Sequence, residues 1–190
     1  MTQLILASAS PRRRELLGQL GVPFEVIPAD VRENEDPAAE PHAVVLANAA
    51  LKADWVAARH PEAAVLGADT TVFIDRTVLN KPRDLDEARA MLRRLSGRTH
   101  TVFTGLALRR GADGLKIDRG VASDVTFRVL TSVMIDDYLQ RVHTLDKAGG
   151  YAIQEEGDRI VESYKGSMTN IIGLPLEETK QLLTLAGLTR

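Results

Sequence analysis

An apolar run at the start of the chain, Leu4-Ile5-Leu6-Ala7, passes through Ser8-Ala9-Ser10-Pro11 into a helical pattern with Leu16, Leu17 and Leu20 on one face. A strand feeding a helix through so short a loop commits the chain to an α/β arrangement. Ser10 suits the N-cap and Pro11 the first helical position. Arg12, Arg13 and Arg14 then occupy the first turn, where the helix dipole already places positive charge. A local rule broken inside an otherwise consistent unit marks a site. Free N–H groups, two hydroxyls and three guanidinium groups fit a polyanion, with phosphate the first choice. A solvated basic turn is the other reading of the same residues.

With 190 residues the chain makes one domain or two small lobes with a real core. The net charge of −2 argues against general binding to nucleic acid or a membrane surface. Cysteine is absent, which excludes disulfides, thiolate catalysis and zinc–thiolate sites. His42, His60, His100 and His143 are scattered without metal-ligand spacing. The N-terminal apolar run is too short for a signal peptide, and no stretch approaches the ~18 apolar residues of a membrane span. A soluble cytoplasmic protein is expected.

Further along, Phe24 to Ile27 reads as a second strand, followed by an acidic loop through Glu33, Glu35, Asp36 and Pro37. A helix is expected from Pro41 to Arg59, with Asn48, Lys52 and Trp55 or Val56 on one stripe. Lys52 is a lone ammonium in an Ala-rich helix, and a snorkelling surface lysine explains it equally well. Ala64 to Ile74 carries Gly67-Ala-Asp69-Thr70 between two apolar halves, in or at the end of a central strand. A carboxylate there is costly to bury unless paired or holding a metal. Asp75-Arg76 marks a turn, and Val78 to Pro82 leads to a helix capped by Asp84 and ended by Gly97. Arg98–Leu108 and Leu115–Val129 read as hairpin strands around Gly111 to Gly114, with Val121, Val125, Phe127 and Val129 alternating. Thr131 caps a helix through Tyr138 to Val142. Gly149 to Gly157 reads as a flexible stretch, Ile160 to Tyr164 as a strand and Lys165 to Gly173 as a loop, and Pro175 opens the last helix. Early strand–helix alternation and late hairpins make the sheet mixed.

The polar residues at element ends form one chemical set. Ser8, Arg12, Arg13, Lys52 and Lys81 suit phosphates, and Glu33 and Asp69 suit a hard cation. Magnesium takes one or two protein carboxylates, keeps waters and shares phosphate oxygens. The set points to metal-assisted phosphoryl or nucleotidyl chemistry on a nucleotide. Thr71 and Tyr151 read as packing, Arg14 as surface charge or phosphate ligand, and Asn170 as a turn residue or a residue reaching the site.

Leu-Ala-Ser-Ala-Ser-Pro-Arg-Arg, Glu33, Ala-Leu-Lys52-Ala, Gly-Ala-Asp-Thr, Leu-Asn-Lys81-Pro, Asp146-Lys-Ala-Gly-Gly-Tyr-Ala-Ile-Gln154 and Gly173-Leu-Pro-Leu resemble, in order, the motifs of the Maf family of nucleoside triphosphate pyrophosphatases. The resemblance runs from residue 4 to about residue 183. It implies a single Maf-like domain over 1–190. It also implies a mixed sheet with flanking helices in two lobes around a cleft, a fold shared with the inosine-triphosphate pyrophosphatases. The implied reaction is hydrolysis of a nucleoside triphosphate to monophosphate and pyrophosphate. Arg12, Thr70 and Gln154 match the branch acting on dTTP and UTP; the branch preferring 7-methyl-GTP carries Trp, Gln and Glu there. A glutamine offers both donor and acceptor to a pyrimidine edge, where a glutamate would accept from guanine N–H groups.

The resemblance further implies that Glu33 and Asp69 hold a divalent cation, Mg²⁺ first and Mn²⁺ or Co²⁺ as substitutes. Asp69 is then the general base, and Ser8, Arg13, Lys52 and Lys81 grip the triphosphate. The nucleoside triphosphate is the expected partner, without stable nucleic-acid or membrane binding, and the expected assembly is a homodimer. The competing reading is a nucleotide-binding regulator of septum formation, which would not require Glu33 and Asp69 together.

Overall fold

The computed structural model describes residues 2–34 and 39–189. The middle of the expected acidic loop, Glu35, Asp36 and Pro37, lies outside the described residues. Among the described residues seven strands form one mixed sheet: β1 (Leu4–Leu6), β2 (Phe24–Val26), β3 (Ala64–Ile74), β4 (Thr77–Leu79), β5 (Thr99–Arg110), β6 (Leu115–Phe127) and β7 (Val161–Lys165). Their order is β2-β1-β3-β5-β6-β7, with β4 beside β3. β1 runs parallel to β2 and β3, whereas the β3–β4 and β6–β7 pairs are antiparallel. The chain gathers into two compact units, the first made of Met1–Asp69, Thr104–Val121 and Gly173–Arg190, the second of Thr70–Phe103 and Ala122–Ile172.

In the first unit β1 is buried along its whole length, as its unbroken apolar sequence requires of a strand covered on both faces. It leads to helix α1 (Pro11–Gly18), where Ser10 Oγ accepts the Arg13 N–H at 3.4 Å, the expected N-cap. Helix α2 (Pro41–Ala57) is capped by Glu40 instead of a hydroxyl residue, its carboxylate accepting the Ala43 N–H at 2.8 Å. Ala49, Ala53 and Val56 pack on Ile5, Val65 and Ala107. This helix sits unusually low on the sheet because the residues beneath it have no side chain. A Cβ on Gly67 would stand 2.3 Å from the Ala49 carbonyl, and one on Gly105 would stand 2.9 Å from the Val45 carbonyl.

The second unit has its own core, including Val72, Leu92, Leu95, Phe127, Ile135, Tyr138 and Ile160. Helix α3 (Leu85–Leu95) is capped by Asp84 and helix α4 (Ser132–Arg141) by Thr131, both at the positions the sequence indicates. Asp75 and Arg76 take left-handed φ values of 51° and 63° and turn β3 into β4. β4 lies where the sequence reading has only a turn and a lead-in to the next helix. The segment after Lys165 is likewise not all loop, since Met168–Ile172 forms a short helix. Val129 is 80% exposed, not an inward strand residue, because β6 ends at Phe127 and the alternation ends with it. Among the described residues no helix is long and apolar enough to cross a membrane.

Candidate active site

The low seat of α2 decides the first unit's chemistry. Asn48 and Lys52 are one helical turn apart on α2, so they share a face, and both are buried beside β3. Lys52 Nζ lies 2.8 Å from Asp69 Oδ1 and 2.8 Å from Glu33 Oε2. The snorkelling alternative therefore fails: the ammonium is held inward between two acids. Asn48 Nδ2 donates to Asp69 Oδ2 at 3.4 Å and to the Asn34 carbonyl at 3.0 Å, while its Oδ1 accepts the Asn34 N–H at 2.8 Å. One amide thus fixes the loop carrying Glu33 and steadies Asp69. Asn48 has the more specific placement of these two residues, and its one signal in the sequence is the four-residue interval to Lys52.

The two carboxylates differ in access. The Asp69 side chain is 15% exposed and that of Glu33 41%, so one is set in the sheet and the other faces solvent. Each carboxylate oxygen of Asp69 has a donor, which confines the group to one orientation.

Arg13 is hydrogen-bonded within its own unit. Nε donates to the Gly173 carbonyl at 2.9 Å, and Nη1 donates to the Ala68 carbonyl at 2.9 Å and to Ser8 Oγ at 3.2 Å. It ties the phosphate-type loop, the residue before Asp69 and the last segment of the unit to one planar group. Burial lowers its pKa from the ordinary arginine value, and the charges of Asp69 and Glu33 pull it back; it remains a cation. Ser8 Oγ also accepts the Ser10 N–H at 3.3 Å, which leaves the hydroxyl proton to donate. Arg12 is half-buried in the first turn of α1, and Arg14 is exposed beside a groove of about 640 Å³ that Ser8, Ser10 and Phe24 also line. Ser8, Arg13, Glu33, Lys52 and Asp69 are therefore brought together within one unit.

Thr70, Lys81 and Gln154 belong to the second unit. Thr70 follows Asp69 directly in β3 and is half-buried; Lys81 and Gln154 are exposed. Within this unit the segments bearing Lys81 and Gln154 are linked, for the Gly149 N–H donates to the Asn80 carbonyl at 3.2 Å. Thr71 and Tyr151 are buried as packing residues. Asn170 is fully buried and donates to the Val102 carbonyl at 3.1 Å and to Ser123 Oγ at 2.9 Å, a structural brace, not a residue reaching a site.

Among the described residues no group of three or more His, Cys, Asp or Glu side chains is arranged to hold a metal. A two-carboxylate site is a different matter. Glu33 and Asp69 converge on one positive charge, and their oxygens are the donor type a hard divalent cation takes when substrate phosphates and water complete its shell. The residues present fit such an ion.

The family model described as Maf-like protein matches residues 3–186. A dTTP/UTP pyrophosphatase of Akkermansia muciniphila is 47% identical, the match covering 97% of this chain and 96% of the relative. The dTTP/UTP pyrophosphatase of Myxococcus xanthus is 50% identical over 98% of this chain and 94% of its own. One from Anaeromyxobacter dehalogenans is 49% identical over 97% and 94%.

Proposed function

The chain belongs to the Maf-like family, and from that premise we propose that it hydrolyses dTTP and UTP to the nucleoside monophosphate and pyrophosphate. The observation that carries this reading is the Asp69 carboxylate, held in one orientation by Lys52 and Asn48 and accompanied by Glu33. An isolated buried acid would be expensive; a paired one is tolerable there and held in one orientation as a hydrogen-bond acceptor.

In the proposed reaction Asp69 takes the proton of a water attacking the α-phosphorus, the bond from that phosphorus to the bridging oxygen breaks, and pyrophosphate departs. A divalent cation held by Glu33 and Asp69, Mg²⁺ by preference, would neutralise phosphate charge and make water more acidic. Lys52 has three N–H donors and spends two on the acids, so the third is available to a phosphate oxygen. Ser8 donates its hydroxyl proton to the same tail, and Arg12 adds charge at the N-terminus of α1. Arg13, hydrogen-bonded to oxygens of Ser8, Ala68 and Gly173, braces this loop, and the motifs assign it to the triphosphate as well. Lys81 is assigned to phosphate, and Arg12, Thr70 and Gln154 to base choice, on the strength of the motifs. The same reading puts the enzyme in the cytoplasm with its substrates, as a homodimer.

The test is a panel of dTTP, UTP, CTP, ITP and 7-methyl-GTP with Mg²⁺, following monophosphate and pyrophosphate. dTTP and UTP should turn over fastest, with the two products in equal amounts. Release of orthophosphate, or a preference for 7-methyl-GTP, would overturn the reading.

A further inference from the structure

Gln154 stands on an exposed turn, a place where side-chain orientation is ordinarily loose. The backbone on both sides of it is nevertheless held, chiefly by side chains of the same unit. Tyr138, fully buried on α4, brings its hydroxyl to both flanks. The hydroxyl oxygen accepts the Ala152 N–H at 3.0 Å, and its proton is shared between the Ala152 carbonyl at 3.2 Å and the Glu155 carbonyl at 3.4 Å. A single atom thus binds the residue two before Gln154 and the residue after it.

A second anchor lies just upstream. The Tyr151 hydroxyl and His100 Nε2 hydrogen-bond at 2.8 Å, and the Tyr151 ring meets His100 and Phe127 edge-on at 5.4 and 4.9 Å. Lys147 supplies a third, bonded to Asp146 at 2.8 Å and reaching Glu155 at 3.5 Å. Gly149 and Gly150, at φ 74° and 71°, make the bend that delivers Tyr151 into the core, a conformation that side-chain-bearing residues rarely adopt. Burial pushes the Tyr138 hydroxyl up to about 12, so it stays protonated wherever the enzyme works.

We propose that Tyr138 is a positioning residue for base choice: through its hydroxyl it fixes the turn that presents the Gln154 amide, with the Tyr151–His100 bond as the second fastening. The inference rests on the reading of Gln154 as the base-reading side chain. Discrimination between UTP and CTP depends on which end of an amide meets the base edge, so a turn free to rotate would accept both. The buried cluster is then part of specificity although none of it touches the substrate.

The experiment compares Tyr138→Phe, Tyr151→Phe, Gln154→Ala and the double variant Tyr138→Phe/Gln154→Ala, with kcat and KM for UTP and CTP and a thermal midpoint for each protein. Tyr138→Phe should lower the UTP-to-CTP ratio of kcat/KM about tenfold, mainly through KM. In the Gln154→Ala background it should change that ratio by less than about twofold, since the amide it orients is gone. A folded Tyr138→Phe protein with the wild-type ratio, or an equal loss of kcat for both substrates, overturns the proposal while leaving Gln154 its role. A wild-type ratio in Gln154→Ala removes the reading of Gln154 itself, and the inference with it. If Tyr138→Phe fails to fold, Tyr151→Phe decides: a ratio lowered about threefold or more supports the clamp, and an unchanged one refutes it.

Discussion

Lys52, Glu33 and Asp69 in the first unit and His100, Tyr138 and Tyr151 in the second are both clusters of polar groups with members withdrawn from water, and they are made tolerable in opposite ways. The first set is ionic, with one ammonium 2.8 Å from each of two carboxylates. The second keeps its groups neutral: burial drives the His100 pKa down to about 4 and raises that of the Tyr151 hydroxyl. An ionic cluster can exchange one partner for another of the same sign, which is what a triphosphate or a divalent cation would ask of it. A neutral cluster in an apolar shell offers a charged ligand nothing, so its hydrogen bonds serve shape. Chemistry is expected from the first and geometry from the second.

The sharpest way to break that contrast is to take the charge from the proposed base. Asp69→Asn keeps the shape, the Asn48 neighbour and the sheet, but cannot accept a proton. Turnover of dTTP should fall about a thousandfold, equivalent to about 4 kcal/mol of barrier, with the thermal midpoint little changed. Activity within about tenfold of wild type would take Asp69 out of the reaction. Next in size is Lys52→Met, which leaves two acids facing each other with the cation gone. Stability in urea should drop by about 3 kcal/mol, the lower part of the range for breaking a buried pair because Glu33 is partly hydrated. Adding Asp69→Asn to Lys52→Met should restore about half of that loss, since one of the stranded charges is then removed. Additive losses would mean that the three groups do not act as one coupled cluster.

Much of the first unit was legible because its signals are local. Ser10, Pro11 and the leucines after them predict α1, and the apolar flanks of Asp69 place it inside a strand. What the sequence alone left open was partnership. Whether Lys52 snorkels or turns inward depends on how near α2 lies to β3, and that is set by Gly67 and Gly105, residues whose effect is felt only across the packed interface. Arg13 illustrates the same limit: among its acceptors are a hydroxyl five residues back and carbonyls at residues 68 and 173, which no periodicity announces. In the second unit Asp84 and Thr131 were readable caps, whereas β4 was hidden in three residues and the helix at Met168–Ile172 in a run rich in small polar residues. The Gly149–Gly157 stretch looked flexible from its composition. The hydrogen bonds that tie it down come from Tyr138 and His100, which stand well away in sequence.

The smallest expected effect probes the neutral cluster directly. His100 is 2% exposed; Phe127 and Tyr151 meet its ring edge-on, and Asp124, whose Oδ1 accepts the Thr101 hydroxyl, raises its pKa less than burial lowers it. Its folded pKa of about 4 lies below the ordinary 6.5, so on acidification the unfolded chain takes up the proton first. The stability that this group allows is complete above pH 6.5 and is lost as pH falls toward 4. His100→Gln keeps a hydrogen-bonding partner for Tyr151 and removes the titration. Between pH 7 and pH 5 the wild-type protein should therefore lose about 2 kcal/mol more stability than the variant, read from urea midpoints at the two values. Carboxylates common to both proteins cancel in the difference, which makes the slope a measure of this ring alone. Equal slopes would mean that His100 takes up its proton in the folded state as readily as in the unfolded one. The second cluster would then be able to carry charge as the first does, and the division between a region that exchanges ligands and a region that only holds shape would fall.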